Sequence, residues 1–358
     1  MGRSGLNRIN KNFFFSGLIM FVVLWSYSQE MRPYDLEMQA KHAEKKGYDP
    51  TYRVNYFENI IIRATYTNNL NNLQFLDTAN GNAVDLRPAA ENLLGVSVDY
   101  KWIAIGVSYA PQFLITTADQ ELQNSSESLK LNLNFFYSDQ WRQELNYTYN
   151  RGFKVSSNFD LREQDIIRLQ NIELQVIQGS TYFIANKNYS FRAHYAQTER
   201  QLRSAGSLIP KIYYGYSIFR PTIGNFSETD QTTEVESFDF IGSVGYLYTF
   251  VHNQKWIATG GLHPGIGYNN SSYEYNNDKE DIFNSVSFTF KGEVTLGYNS
   301  YRWFWGVNGF WQNFNNSNNQ NIQLNRDTLF VMAYMGYRFN DNKPMRKFFG
   351  WFEDTFGF

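Results

Sequence analysis

The chain has no cysteine, only four histidines, a formal charge of -2 and just one extended apolar run in 358 residues. Without thiols it can form neither disulfides nor thiolate metal sites, which suits a protein crossing an oxidising compartment. The near-neutral charge argues against nucleic acid as a partner. A helical membrane protein needs about 20 consecutive apolar residues for each span, and the mean hydropathy of -0.49 is that of a soluble protein. What the chain has in abundance is aromatic: 26 Tyr, 31 Phe and 8 Trp. A membrane-spanning β-barrel reconciles these features, because every second residue of its strands faces a polar lumen.

The apolar run, Phe13–Trp25, follows Arg3, Arg8 and Lys11 and precedes Ser26-Tyr27-Ser28. A basic start, a short apolar core and small residues two apart describe a secretory signal peptide over 1–28, cut after Ser28. The alternative is a membrane anchor, for which the run is too short. Residues 29–55 then read as a polar periplasmic leader, with a short helix or disordered stretch over Asp35–Lys46 that ends at Gly47.

Leu93–Phe113 carries the repeating unit. Leu94, Val96, Val98 and Tyr100 alternate with Gly95, Ser97 and Asp99, and Ile103, Ile105, Val107 and Tyr109 alternate with Ala104, Gly106 and Ser108 across a minimal turn at Lys101. Period two on both sides of so short a connection predicts an antiparallel hairpin with one apolar and one small or polar face. Thirteen segments of this kind follow one another: Tyr56–Thr67, Glu91–Tyr100, Trp102–Phe113, Ser128–Tyr137, Trp141–Arg151, Ile167–Ile177, Tyr189–Glu199, Leu208–Phe219, Phe238–Val251, Trp256–Tyr268, Val286–Tyr298, Tyr301–Phe314 and Leu329–Phe339. Short turns such as Tyr100-Lys101 and Asn299-Ser300 alternate with long Asn-rich links such as Asn68–Ala90 and Asn315–Asp327, as in barrels with periplasmic turns and extracellular loops. A barrel with both ends in the periplasm needs an even strand number, and the alternation fails between Asn186 and Lys255. One strand there is missed or false. The expected fold is therefore all-β, a transmembrane antiparallel up-and-down β-barrel over 56–339 with twelve strands, or fourteen if strands were missed.

Leu129, Leu131, Leu133, Phe135, Ile172, Leu174, Phe288 and Phe290 fall on outward faces, and Trp102, Trp141, Trp256, Trp303 and Trp305 stand beside short turns. Lipid contact and an interfacial aromatic girdle account for both. The competing fold is a soluble sandwich. The tail, 340–358, holds Phe348, Phe352 and Phe356 four apart beside Arg346 and Lys347, a pattern for an amphipathic helix on the inner-leaflet surface. Phe356-Gly357-Phe358 offers an alternative terminal strand signal to Gly336-Tyr337-Arg338-Phe339.

The polar faces give a candidate luminal network of Lys130, Arg142, Glu144, Glu173, Arg192, His194, Lys291, Glu293 and Arg302. Lys130 with Glu144, Glu173 with Arg192, and Glu293 with Arg302 are the expected cross-strand pairs. His194 near Ser190 and Glu173 would suit a Ser–His–acid arrangement, although a hydrogen-bonded luminal histidine is the simpler reading. His263 lies in Gly260-Gly261-Leu262-His263-Pro264-Gly265-Ile266-Gly267, where glycines allow a bend or close packing. No metal-ligand spacing, phosphate loop or nucleophile elbow is present. No metal or other cofactor is expected. Arg200 and Arg203 before Ser204-Ala205-Gly206-Ser207 are a candidate contact for an acidic lipid or another anion.

Asp49-Pro50-Thr51-Tyr52, Asn59-Ile60-Ile61-Ile62-Arg63, the Gly95–Tyr109 hairpin, Ser128–Tyr137 and Gln197-Thr198-Glu199-Arg200-Gln201-Leu202-Arg203-Ser204-Ala205-Gly206-Ser207 together resemble an outer-membrane-type family of Gram-negative bacteria known only as a domain of unknown function. The resemblance implies a barrel and brings no activity or ligand. The sequence reading is thus a non-catalytic outer-membrane barrel serving as a narrow pore, a ligand-binding barrel or a scaffold. Its partners would be outer-membrane lipids and the barrel assembly machinery. The rivals are a lipid-modifying enzyme using His194 and a secreted soluble β-rich binding protein.

Overall fold

A computed structural model of the chain describes residues 33–77, 80–161, 166, 170–221, 232–275, 280–317 and 322–356. The signal-peptide assignment and residues 357–358 of the second terminal signal lie outside them. In chain order the elements are α1 (Pro33–Lys46), β1 (Arg53–Asn55), β2 (Asn59–Asp77), β3 (Ala83–Pro88), β4 (Asn92–Tyr100), β5 (Ile103–Tyr109), α2 (Gln120–Ser125), β6 (Glu127–Phe136), β7 (Trp141–Arg151), β8 (Phe153–Ser157), β9 (Ile172–Phe183), α3 (Arg192–Tyr195), β10 (Glu199–Gln201), β11 (Ala205–Pro221), β12 (Thr232–His252), β13 (Trp256–Tyr275), β14 (Glu280–Asn299), β15 (Trp303–Ser317), β16 (Ile322–Asn340) and α4 (Lys343–Phe356).

Twelve strands close into an antiparallel barrel in the order β2, β4, β5, β6, β7, β9, β11, β12, β13, β14, β15, β16, with β16 pairing back on β2. Closure leaves no open sheet edge in the ring, as a spanning structure in lipid requires. The Leu93–Phe113 hairpin has the predicted register, Leu94 opposite Tyr109 and Tyr100 opposite Ile103. Its turn is possible because Lys101 takes a left-handed φ of 52°. At the β12–β13 connection Asn253 and Gln254 both have positive φ, 50° and 57°, the signature of a type I′ turn that matches strand twist. The seventh of the thirteen segments, Tyr189–Glu199, is not a barrel strand: it holds the helical turn α3 and the start of β10. Its removal resolves the odd count to twelve.

The wall is uneven in height. Strands β4 to β7 have 7 to 11 residues, whereas β12, β13 and β14 have 20 or 21. On β12 the outward residues Phe238, Phe240, Val244, Tyr246, Tyr248 and Phe250 are exposed. At about 3.3 Å per residue and a tilt of about 40°, that band covers about 30 Å, the thickness of a bilayer's hydrocarbon core. Beyond it the outward residues become Glu236 and Glu234. Above the short strands, β3 pairs with the upper part of β2 and β8 pairs with β3, so they continue the sheet at the loop end.

Trp141, Trp256 and Trp305 are exposed beside the turn end, and Trp256 and Trp305 meet edge to face with centroids 5.4 Å apart. Trp102 differs, because Phe352 of α4 stacks on it at 4.9 Å and Phe349 lies 5.6 Å away. The tail is therefore a helix docked on the β4–β5 turn, with Phe348 and Trp351 left exposed.

Candidate functional site: the occluded lumen

The chain between β9 and β11 does not make a turn; residues 184–204 fold back into the barrel. This segment buries Ile184, Tyr189, Phe191 and Ala196 against the wall residues Phe136, Tyr182, Ile209 and Leu247. Its β10 then pairs with β1, Val54 opposite Arg200, in a two-stranded sheet across the turn end. An apolar core and a piece of sheet thus make a floor for the lumen.

Charge holds the floor in place. Arg53 sits 2.6 Å from Asp139 and 3.2 Å from Glu199, with 2% of its side chain exposed, and lies 3.7 Å over the Tyr48 ring. Ser190 Oγ donates to Glu199 at 2.5 Å, and Gln201 Oε1 accepts from the Ser190 amide at 2.6 Å. Arg338, fully buried, donates to the Gln197 carbonyl at 2.7 Å, to Asn299 Oδ1 at 2.7 Å and to the Ser300 carbonyl at 2.6 Å. Buried charges satisfied in this way keep a polar segment inside a barrel, whereas loss of one partner leaves an uncompensated ion. Burial opposes ionisation of Asp139, but Arg53, then Arg192, Lys46 and His42, outweigh it and hold the carboxyl below its ordinary range. Burial dominates at His42 and lowers its pKa, despite Asp139 and Glu199 nearby.

A second layer crosses the lumen at the loop end. Phe75 of β2 and Phe219 of β11, strands on opposite sides of the ring, place their rings 6.0 Å apart. Leu73, Leu86, Phe153, Ile172 and Leu174 complete this apolar cluster. Lower down Arg326 of β16 reaches Asp239 of β12 at 2.6 Å, and Tyr213 of β11 meets Phe314 of β15 at 5.8 Å. Between floor and upper layer lies a chamber of about 350 Å³.

The sequence-predicted network is only partly assembled there, and its pairings are different. Lys130 faces Thr148, not Glu144, across β6 and β7. Glu144 instead pairs with Arg142 of its own strand at 3.2 Å. Glu173 lies at the loop end, 3.9 Å from Arg151, while Arg192 belongs to α3, 3.9 Å from Glu199, and donates to the Lys101 carbonyl at 2.9 Å. Glu293 pairs with Lys291 at 2.6 Å and accepts from Tyr195 Oη at 2.8 Å, whereas Arg302 donates to the Arg338 carbonyl at 2.9 Å. Strand register separates the expected cross-strand partners, and same-face spacing of two residues along one strand joins Arg142 with Glu144 and Lys291 with Glu293 instead.

His194 is buried among Phe191, Tyr189 and Tyr195, and neither ring nitrogen has a hydrogen-bond partner. His194 is thus not the hydrogen-bonded luminal histidine expected from the sequence, and the rival Ser190–His194–Glu173 arrangement does not form either, since Ser190 is bound to Glu199 and Glu173 stands at the other end. His263 packs over Gly245 of the neighbouring strand, with Nε2 3.4 Å from Glu293. Among the described residues no group of His, Asp and Glu converges as a metal site.

Arg200, Arg203, Ser204 and Ser207 do not form one exposed cradle. Arg200 is buried in β10, and Arg203 stacks 4.9 Å from the Tyr52 ring and donates to Thr51. Ser204 Oγ accepts from the Val251 amide, and Ser207 Oγ accepts from the Asn186 amide. The residues that sequence reading missed are Arg53, Asp139 and Glu199. Only Glu199 had a signal, since it lies in the region from Asn186 to Lys255 that the odd strand count marked as irregular; Arg53, in the leader, and Asp139, in a short turn, had none.

Several solved structures share the general shape. The outer membrane protease OmpT from Escherichia coli superposes with a TM-score of 0.37 at 8% identity over 79% of this chain and 97% of that one. An outer membrane channel from Pseudomonas putida F1 gives 0.39 at 7% identity over 80% and 98%. The translocator domain of the autotransporter NalP from Neisseria meningitidis gives 0.34 at 10% identity over 85% and 95%. Scores of this size carry no functional argument. No curated protein matches the chain in sequence. A family model described as Domain of unknown function (DUF4421) matches residues 47–339, from the end of α1 through the last barrel strand, and the chain belongs to that family.

Proposed function

We propose that this protein resides in the outer membrane of a Gram-negative bacterium, with the turn end in the periplasm, and acts there as a non-catalytic ligand-binding barrel. The observation that carries this reading is the floor: residues 184–204 fill the turn end with an apolar core and a buried Arg53–Glu199–Asp139 network. A pore needs a continuous water path, and both ends of this lumen are crossed by packed side chains. The chamber between them is at the lower end of the size range of small-molecule sites. The outward apolar band and the Trp residues at the turn end support the membrane location. Against the enzyme reading stand His194 without polar partners and Ser190 engaged by Glu199, so neither is poised as base or nucleophile.

Planar-bilayer recording tests this. The full protein should show no stable open-channel current, and replacing 186–203 by a short Gly-Ser linker should produce conductance steps. Stable porin-type conductance from the unaltered protein would overturn the closed-barrel reading.

A further inference from the structure

We infer that the luminal chamber binds a small organic anion, a carboxylate with an apolar body, through Lys130 and Lys211. This rests on the ligand-binding reading above and names the ligand class. The argument begins with the charges that line the chamber: Arg63, Lys130, Arg142, Lys211 and Lys291 on one side, Asp99 and Glu144 on the other. Each carboxylate has its own cation. Asp99 lies 3.9 Å from Arg63 and Glu144 lies 3.2 Å from Arg142. Lys291 is taken by Glu293 at 2.6 Å. Lys130 and Lys211 remain, and among the described residues neither ammonium has a hydrogen bond or a carboxylate at ion-pair distance.

Lys211 is 9% exposed, so its ammonium is not simply a surface charge looking into solvent. Each lysine also faces an aromatic ring, Tyr182 at 5.7 Å from Lys211 and Phe330 at 5.9 Å from Lys130. Contacts that long are weak substitutes for an ion pair. Buried charges in proteins are usually paired; buried Lys211, which Glu144 and Glu293 reach only from beyond ion-pair distance, and half-buried Lys130 are cations without an ion-pair partner on the walls of one chamber, and they leave a place for a negative ligand. The chamber also has apolar lining from Phe310, Phe314, Phe330 and Met332 on β15 and β16. Lysines on β6 and β11 together with this apolar lining favour an amphiphile over a bare inorganic ion. The Asn and Gln side chains that share the lining offer hydrogen bonds but no second charge.

The test uses the full-length protein in a non-ionic detergent, titrated calorimetrically with hexanoate and benzoate and, in parallel, with hexanol, benzyl alcohol and inorganic phosphate. The carboxylates should bind about tenfold more tightly than the matched alcohols, as expected for a charge-assisted hydrogen bond. They should also bind more tightly than phosphate. Lys130→Met and Lys211→Met should each weaken carboxylate binding about tenfold while the proteins keep their heat-modifiable migration. Lys211→Arg should retain binding. If the alcohols bind as well as the acids, if phosphate binds best, or if both Met variants bind hexanoate unchanged, the inference fails while the ligand-binding reading stands. If nothing in the panel binds, the inference fails; if the unaltered protein also conducts as an open pore, the ligand-binding reading falls with it.

Discussion

Phe75 and Phe219 meet across the lumen with their rings 6.0 Å apart, although their strands lie on opposite sides of the barrel. Both are inward positions near the loop ends of β2 and β11, so the contact closes the mouth from two walls at once. An aromatic pair is worth roughly 0.5–1.5 kcal/mol beyond its buried area, which is about tenfold in an opening equilibrium. Because the chain has no cysteine, Thr148→Cys provides a unique thiol in the chamber lining. A charged maleimide should label it slowly, and about tenfold faster when Phe75→Ala and Phe219→Ala are added. Equal rates would show that this contact is not the barrier to entry.

The floor predicts both a stability loss and a pH dependence. Arg53→Met removes the cation closest to both Asp139 and Glu199 and leaves the more distant Arg192, a change that costs about 3 kcal/mol, the lower end for breaking a buried pair. The midpoint of urea unfolding, followed by gel migration, should fall accordingly. The pH effect follows from the depressed pKa values of Asp139 and His42. A carboxylate with a lowered folded pKa contributes stability that is present above its unfolded value, about 4, and is lost as pH falls through the folded value. A buried neutral histidine acts in the same direction, starting near its unfolded value of about 6.5. Protease susceptibility of 33–55 and 184–204 should therefore be low at pH 7.5, rise modestly below pH of about 6.5 and rise again below about 4. A flat profile from pH 7.5 to 3 would contradict these assignments.

The C-terminal helix should be coupled to the first hairpin through Trp102. Phe352 stacks on that indole and Phe349 packs against both Trp102 and Tyr100, while Phe348 and Trp351 point away from the barrel. In a double-mutant cycle, Trp102→Ala and Phe352→Ala should show a coupling energy of about 1 kcal/mol in thermal unfolding. Phe348→Ala should show none with Trp102→Ala. Instead, Phe348→Ser and Trp351→Ser should weaken the helix's contact with lipid, read as greater protease access to the helix in bilayers with the urea midpoint of the barrel in non-ionic detergent unchanged.

The barrel was legible in the sequence because period-two alternation is a property of each strand alone. Leu94, Val96, Val98, Ile105 and Val107 all lie on the exposed outer face, where the pattern placed them. The floor was not legible for the same reason. Ser190, Arg192 and His194 alternate with Tyr189, Phe191 and Ala193 as strand residues would, yet the segment is packed on all sides inside the lumen. Alternation identifies two different environments and says nothing of a third arrangement in which both sets are buried. Pairing of luminal charges was also out of reach, since Lys130 opposite Thr148 and Glu293 opposite Phe310 are facts of register, and register depends on turns and on the neighbouring strand.

Gly245 and His263 provide a further test of how tightly the lower lumen is fitted. A Cβ built on Gly245 would lie 1.8 Å from the His263 ring, which no side-chain adjustment of a few tenths of an ångström can relieve. The imidazole occupies the space the glycine leaves, 3.4 Å from Glu293, which also binds Lys291 and Tyr195. Gly245→Ala must therefore push the ring out of this cluster, and overpacking of a fitted interior costs roughly 1–3 kcal/mol. His263→Ala removes the ring and should restore stability to the Gly245→Ala protein, measured as recovery of the urea midpoint toward that of His263→Ala alone. Additive losses in the double variant would mean that the alanine acts through the backbone of β12 and not through the imidazole.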